Sequence, residues 1–305
     1  MQRPRWRERS IFVRWWRLWR TRRPVTFNDK VRYKMLRDHR PLVVTFADKV
    51  AARQYISDAV GERYLPAILH ITDDPTTLRQ LSLPERYVVK PSHGSGVVVI
   101  VSPDAPTETR LSPPAAGWVY RQVQPGNVVI EDLIELCASW LNQLYGQGPN
   151  REWAYGRMRR RIIIEELLLD AHGGIPQDYK LFVFNGRCRY VQVDGGRFGH
   201  RTQDFYTPDW AHVPMSGGPS WSTEPIPAPA QLTEMIDVAQ RLARDTDFVR
   251  VDLYVLDGRL IVGELTNYPA GGDSPFYPAT FNTEFGRHWV VPKRYSFEAT
   301  TESDA

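Results

Sequence analysis

Two acids set inside an apolar hairpin carry the clearest chemical signal. In FVRVDLYVLDGRLIVGELTN, residues 248–267, Arg250, Asp252 and Tyr254 share one face of an alternating strand, while Val249, Val251 and Leu253 take the other. Glu264 lies on the next strand. A two-residue turn at Asp257-Gly258 would set Asp252 against Gly263 and send Glu264 to the opposite face. A three-residue loop, Leu256-Asp257-Gly258 with a left-handed glycine bulge, instead pairs Arg250 with Glu264 and Asp252 with Val262. That register is the expected one, because it brings Arg250, Asp252 and Glu264 together. Two carboxylates without histidine make a hard, oxygen-rich site suited to Mg²⁺ carrying phosphates. The competing reading is a plain cross-strand Arg250–Glu264 ion pair.

Three further segments hold candidate groups. YVVKPSHGSGVVVIV (87–101) places Lys90 before a loop of small residues, Ser92, His93, Gly94, Ser95 and Gly96. It lacks the third glycine and the following helix of a dinucleotide fingerprint, and no GK[ST] makes it a Walker loop. His93 also spoils a GxSxG elbow around Ser95. Such a loop can fold over phosphates with its N–H groups while the lysine adds a point charge; a simple surface hairpin is the alternative. RIIIEELLLD (161–170) is an apolar strand ending in Glu165 and Glu166. Those acids suit either ribose hydroxyls beside a bound adenine or a strand emerging into solvent. Lys180, before an Asn185-Gly186 turn, is a second phosphate contact or a solvated side chain.

These groups need a frame, and the pattern supplies one. Residues 48–60 read as an amphipathic helix, and 130–144 and 231–243 as helices. Strands are expected at 87–90, 97–101, 161–165, 180–184, 188–193, 248–255 and 260–266. The Gly/Pro/Trp-rich stretch 194–229 shows little periodicity and reads as a long loop region. Within it Trp210, Trp221, His200 and His212 suit packing or the surface better than catalysis. Helices mixed with antiparallel strand pairs give an α+β fold.

Composition narrows the classes. With 42% hydrophobic and 24% charged residues over 305 positions, the chain is globular rather than disordered or fibrous. Cys137 and Cys188 cannot form a disulfide scaffold, and no HExxH or CxxC spacing offers a metal site. No apolar run reaches the ~18 residues of a spanning helix. The net charge of +4 is uneven: residues 1–23 hold nine arginines against one glutamate, which leaves the rest at −4. Trp6, Trp15, Trp16 and Trp19 lie in this arm. On a helical wheel the tryptophans at 15, 16 and 19 oppose Arg14, Arg17 and Arg20. That pattern suits a helix lying on an anionic membrane surface. A nucleic-acid clamp and a solvated leader are the other readings, and with basic charge confined to the arm no specific nucleic acid is expected.

In order, these pieces resemble the ATP-grasp superfamily, and more closely its TupA-like family from bacterial envelope-polysaccharide loci. The resemblance rests on FNDKVRYK (27–34), ADKVAARQYI (47–56), YVVKPSHGSG (87–96), REWAY (151–155), RIIIEELL (161–168), DYKLFVFNGR (178–187) and FVRVDLYVLDGRLIVGELT (248–266). It implies an ATP-grasp domain over 25–295 whose two α+β subdomains, about 86–168 and 176–292, grip Mg-ATP. The arm (1–24) precedes it and a flexible tail (296–305) follows. The resemblance assigns phosphates to Lys90 and Ser92–Gly96, the nucleoside to Glu165 and Glu166, and a place near the nucleotide to Lys180. Asp252 and Glu264 become metal ligands. Many superfamily members end this motif Glu-x-Asn; here Thr266 stands two after Glu264 and Asn267 one further on, so both join the metal candidates. The implied activity is carboxylate–amine ligation through an acyl phosphate, with Arg250 and Lys180 at the reacting groups. Its substrates would be a small-molecule or glycan carboxylate and an amine, at the cytoplasmic face of the membrane. A phosphotransferase, or a non-catalytic partner of a glycosyltransferase, are the alternatives.

Overall fold

The computed structural model describes residues 20–111, 119–146, 152–170, 173–195 and 201–296. Of the expected arm (1–24), residues 1–19 lie outside them, as do His200 and the tail from 297. Three helices come first: α1 (Phe27–Arg37), α2 (Pro41–Ala47) and α3 (Ala51–Val60). Thr26 caps α1 reciprocally, its hydroxyl accepting from Asp29 N while Asp29 Oδ2 accepts from Thr26 N. Gly61, at φ +111°, ends α3 in a conformation that other residues resist.

The first sheet orders its strands β1-β5-β2-β3-β4, with β1 (Ile68–Thr72), β2 (Tyr87–Pro91), β3 (Val98–Val101), β4 (Tyr120–Val123) and β5 (Ile162–Glu166). Only β3 and β4 run parallel. Helix α4 (Ile130–Asn142) packs Leu133, Leu136, Cys137 and Trp140 on Val89, Val99, Ile162 and Ile164. Its buried positions recur at the three- and four-residue spacing of a helix that covers a sheet.

The second sheet orders β11-β10-β6-β7-β8-β9, all antiparallel. Its strands are β6 (Asp178–Phe184), β7 (Arg187–Gly195), β8 (Thr202–Tyr206), β9 (His212–Val213), β10 (Phe248–Leu256) and β11 (Arg259–Thr266). Helix α5 (Leu232–Leu242) covers one face over Leu181, Val183, Val249 and Val251. On the other face α1 and α6 (Thr280–Arg287) close over Phe182, Phe184 and Phe248, with Phe27 at the centre of the aromatic contacts. That second face changes character along each strand. Phe184 and Phe182 give way to Lys180 and Asp178 on β6, and Phe248 gives way to Arg250 and Asp252 on β10. The aromatic end holds the fold, and the ionic end opens into a cleft.

Two expectations are corrected. Residues 194–229 are not simply a loop region, for β8 and β9 extend the sheet there; their short alternation is hidden between glycines and prolines. The β10–β11 turn is also the two-residue one, with Asp257 and Gly258 at φ +46° and +80° and Leu256 paired with Arg259. Those left-handed angles suit the tight turn that the strand twist favours. Convergence comes instead from a bulge at Gly263, which lets Asp252 pair with Glu264 while Leu253 pairs with Val262. A Cβ on Gly263 would lie 2.5 Å from the Tyr254 ring, so the bulge needs glycine.

Candidate active site

Between the two sheets lies a cleft of about 340 Å³. From the first sheet it is lined by Lys90, Gly94, Ser95, Gly96, Glu165 and Glu166, and from the second by Asp178, Lys180, Arg250, Asp252 and Glu264. Apolar side chains, among them Ile163, Leu167, Leu168 and Ile175, line it as well. An apolar surface with a few convergent charges is the usual anatomy of a small-molecule site.

Charges on the second sheet are locked to one another. Arg250 donates to both oxygens of Asp252 at 2.6 Å and to Thr266 Oγ1 at 3.1 Å. Lys180 bonds Asp178 and stands 3.2 Å from Asp194 and 3.8 Å from Asp252. Asp194 is steadied by Gln192 and Gln203, which donate to it at 2.9 and 3.0 Å. Burial pushes the Asp252 pKa up to about 6, against the pull of Arg250 and Lys180. Burial would lower that of Lys180, but Asp252, Asp178 and Asp194 outweigh it and hold the ammonium charged. For Glu264, burial is overcome by Lys49, Arg250 and the cleft lysines, so its carboxylate lies below the ordinary range.

From the first sheet, Lys90 pairs with Glu165. Lys49 spans the two halves. Its Nζ donates to Gly94 O at 2.6 Å and lies 3.6 Å from Glu264 Oε1, while burial lowers its pKa. The root of the glycine loop is fastened separately. Lys49 N donates to Ser92 O at 3.1 Å, Ser92 N to Arg161 O at 2.7 Å, and Arg161 N to Ser92 Oγ at 3.0 Å. Arg161 in turn donates to Asp48 Oδ2 at 2.7 Å, and Asp48 Oδ1 accepts from Val50 N at 2.9 Å.

Most of the candidates named from sequence therefore meet in one place: Lys90, Gly94, Ser95, Gly96, Glu165, Glu166, Lys180, Arg250, Asp252 and Glu264. Four sit differently. Ser92 is buried in the loop root, and His93 is buried away from the cleft lining. Thr266 serves Arg250. Asn267 is buried with its amide donating to Val43 O at 3.0 Å, so its side chain is committed to α2. Glu166 lines the cleft, but one carboxylate oxygen accepts from Ala67 N at 2.7 Å. Sequence reading missed Lys49, Asp178 and Asp194. Lys49 stands in ADKVAARQYI just ahead of α3, and Asp178 shares its strand face with Lys180 by alternation; both signals were present.

Among the described residues no cluster of three or more acidic, histidine or cysteine groups could enclose a metal alone. Asp252 and Glu264, paired across adjacent strands, offer oxygen donors only. That fits Mg²⁺, which takes one or two carboxylates and completes its shell with phosphates and water.

The sequence profile of the TupA-like ATPgrasp family matches residues 29–108 and 121–290. Several solved structures are similar at low identity. The ATP-grasp ligase PsnB complexed with its minimal precursor is 14% identical, with 75% of this chain and 54% of that one covered at a TM-score of 0.41. D-alanine–D-alanine ligase from Bacillus anthracis complexed with ATP is 16% identical, with 73% and 54% covered at 0.37. L-amino acid ligase from Bacillus licheniformis is 13% identical, with 74% and 44% covered at 0.41. The aligned region spans about half the length of these proteins. No curated protein matches the chain.

Proposed function

We propose, since this chain belongs to the TupA-like ATP-grasp family, that it is an ATP-dependent ligase joining a carboxylate to an amine. One observation supports this above the rest: Arg250, Asp252 and Glu264 face Lys49, Lys90 and the Gly94–Gly96 loop across one cleft. Backbone N–H groups of that loop and the two lysines hold a polyphosphate, and the apolar lining receives its base. Asp252 and Glu264 would hold Mg²⁺, which would supply charge neutralisation at the phosphates. Arg250, which in the resting cleft bonds Asp252 and Thr266, presents its donors to a carboxylate or to the acyl phosphate formed from it. Lys180, held charged by three aspartates, stabilises the negative charge that builds up on the transferred phosphoryl oxygens. The carboxylate oxygen takes the terminal phosphoryl group as ADP leaves, and an amine then attacks the acyl carbon, expelling phosphate and giving up a proton to solvent, to leave the amide.

The finer reading is that the acceptor or donor belongs to a cell-envelope polysaccharide or its precursor. The arm would keep the enzyme at an anionic membrane near such glycans, in company with glycosyltransferases. Among the described residues no helix is long and apolar enough to cross a membrane.

Calorimetric titration with ATP and Mg²⁺ tests the nucleotide site. Asp252→Ala and Glu264→Ala should each weaken metal-dependent binding by at least ~10-fold, about 1.4 kcal/mol. No binding by folded wild-type protein would sink the reading. Product analysis then separates ligation, which gives an amide with free phosphate, from phosphotransfer to a hydroxyl.

A further inference from the structure

Exposed cations gather around the end of α6, far along the second sheet from its ionic cleft. Outside residues 1–23 the chain is net −4, so this accumulation runs against its overall balance. Gly286 packs so tightly on the Val25–Thr26 backbone that a Cβ there would collide with it, which sets the root of the arm against α6. Val290, four residues on, is tied to the β6–β7 turn: its N–H donates to Asn185 Oδ1 at 2.8 Å, and Asn185 Nδ2 donates to its carbonyl at 3.0 Å. Arg187 stands exposed just beyond that turn, and Arg189 lies within electrostatic reach of His288. Arg287 is exposed beside Gly286. Tyr33 Oη, donating to the carbonyls of Pro292 and Lys293 at 2.9 and 3.1 Å, holds the following segment in place. Lys293 and Arg294 are exposed on it. Glu284, the acid on α6, receives the Tyr190 hydroxyl at 3.2 Å. Two apolar side chains stand uncovered among these cations, Val25 at 60% and Val290 at 72% exposure.

We propose that this face is a docking surface for an anionic lipid bilayer, acting together with the arm that leaves it. The proposal rests on the membrane reading of the arm. Charge complementarity argues for it, since each Lys or Arg close to an anionic leaflet contributes about 1 kcal/mol. The chain's path argues for it too: the segment rich in arginine and tryptophan precedes Val25, which packs on α6, by only a few residues. Stable anchoring takes two weak signals in concert. The arm would be one and this face the other, with Val25 and Val290 touching the headgroup layer.

Vesicle co-sedimentation of the full chain provides the test, using phosphatidylcholine alone and phosphatidylcholine with about 25% phosphatidylglycerol. Arg187→Gln, Arg287→Gln and Lys293→Gln should each weaken binding to anionic vesicles ~5-fold, and the triple variant ~100-fold, with Mg-ATP binding unchanged. A polarity-sensitive dye on Val290→Cys should shift to the blue with anionic vesicles. The same dye on Leu144→Cys, at an equal 72% exposure on the other half, should not. If wild type binds anionic vesicles and the triple variant binds as well, the arm acts alone and this face is no docking surface. If wild type fails to bind them, the arm reading falls as well. If the triple variant loses affinity for a DNA duplex while wild type ignores vesicles, the surface serves nucleic acid and the proposal is overturned.

Discussion

Gly263 decides the chemistry of the cleft although it has no chemistry of its own. The two-residue turn at Asp257-Gly258 would, in an unbroken ladder, turn Glu264 away from Asp252. One extra residue on β11 restores the convergence, and only glycine leaves room for the Tyr254 ring beside it. Gly263→Ala should therefore destabilise the protein by about 1–3 kcal/mol and reduce Mg-ATP affinity together. Gly263→Ala/Tyr254→Ala removes the collision and should recover most of the stability, as read from denaturant unfolding. If the single variant unfolds like wild type, the bulge does not depend on glycine. The two acids and the arginine were legible in the sequence because charges stand out in apolar strands. The bulge was not, because it depends on a ring reaching across from the partner strand.

Among elements, the turn between α2 and α3 has a larger part than its length suggests. Asp48 is buried, caps Val50 N, and fixes Arg161 at the start of β5; Arg161 fixes Ser92; and Lys49, next in the chain, reaches Gly94. One short segment thereby ties the first sheet, the glycine loop and Glu264 of the second sheet. Asp48→Asn and Lys49→Ala should each weaken ATP binding. The double variant should lose less than the sum of the two single losses, because both residues act on the one glycine loop, Asp48 through Arg161 and Ser92 and Lys49 through Gly94. Fully additive losses in calorimetry would break that link. Strands bounded by clear turns, such as β6 and β7 around Asn185-Gly186, could be read from sequence. The role of this turn could not, since its partners lie 43 and 113 positions away in the chain. Strands β8 and β9 escaped for a different reason, being short and surrounded by turn-forming residues.

At the scale of the whole molecule, β6 is buried along its full length, with α5 on one side and α1 and α6 on the other. The same strand thus belongs to the core and to the site. A second buried ionic cluster lies elsewhere on the fold: Lys34, fully buried, donates to Asp38 and Asp247 at 2.6 Å each, and so binds α1 to the segment entering β10. Partnered charges of this kind hold position firmly, because a lone buried charge is far more costly than a paired one. The α+β class and the order of the family's motifs were legible along the chain, since each motif is a local run. Which residues face one another across the cleft depends on how the two sheets approach, which no local run encodes.

Lys49 beside Glu264 and Arg250 on Asp252 have one more implication: the resting cleft is stocked with its own counter-ions. Both acids already face a cation supplied by the chain. A bare divalent ion would have to evict a guanidinium and an ammonium that have nowhere better to go. Polyphosphate changes that exchange by offering the displaced cations new anions. The nucleotide should accordingly act as the escort of the metal. Titration with MgCl₂ alone should give no saturable heat, while ATP added first should make the magnesium isotherm appear. Tight metal binding without nucleotide would mean that the cations do not guard the acids.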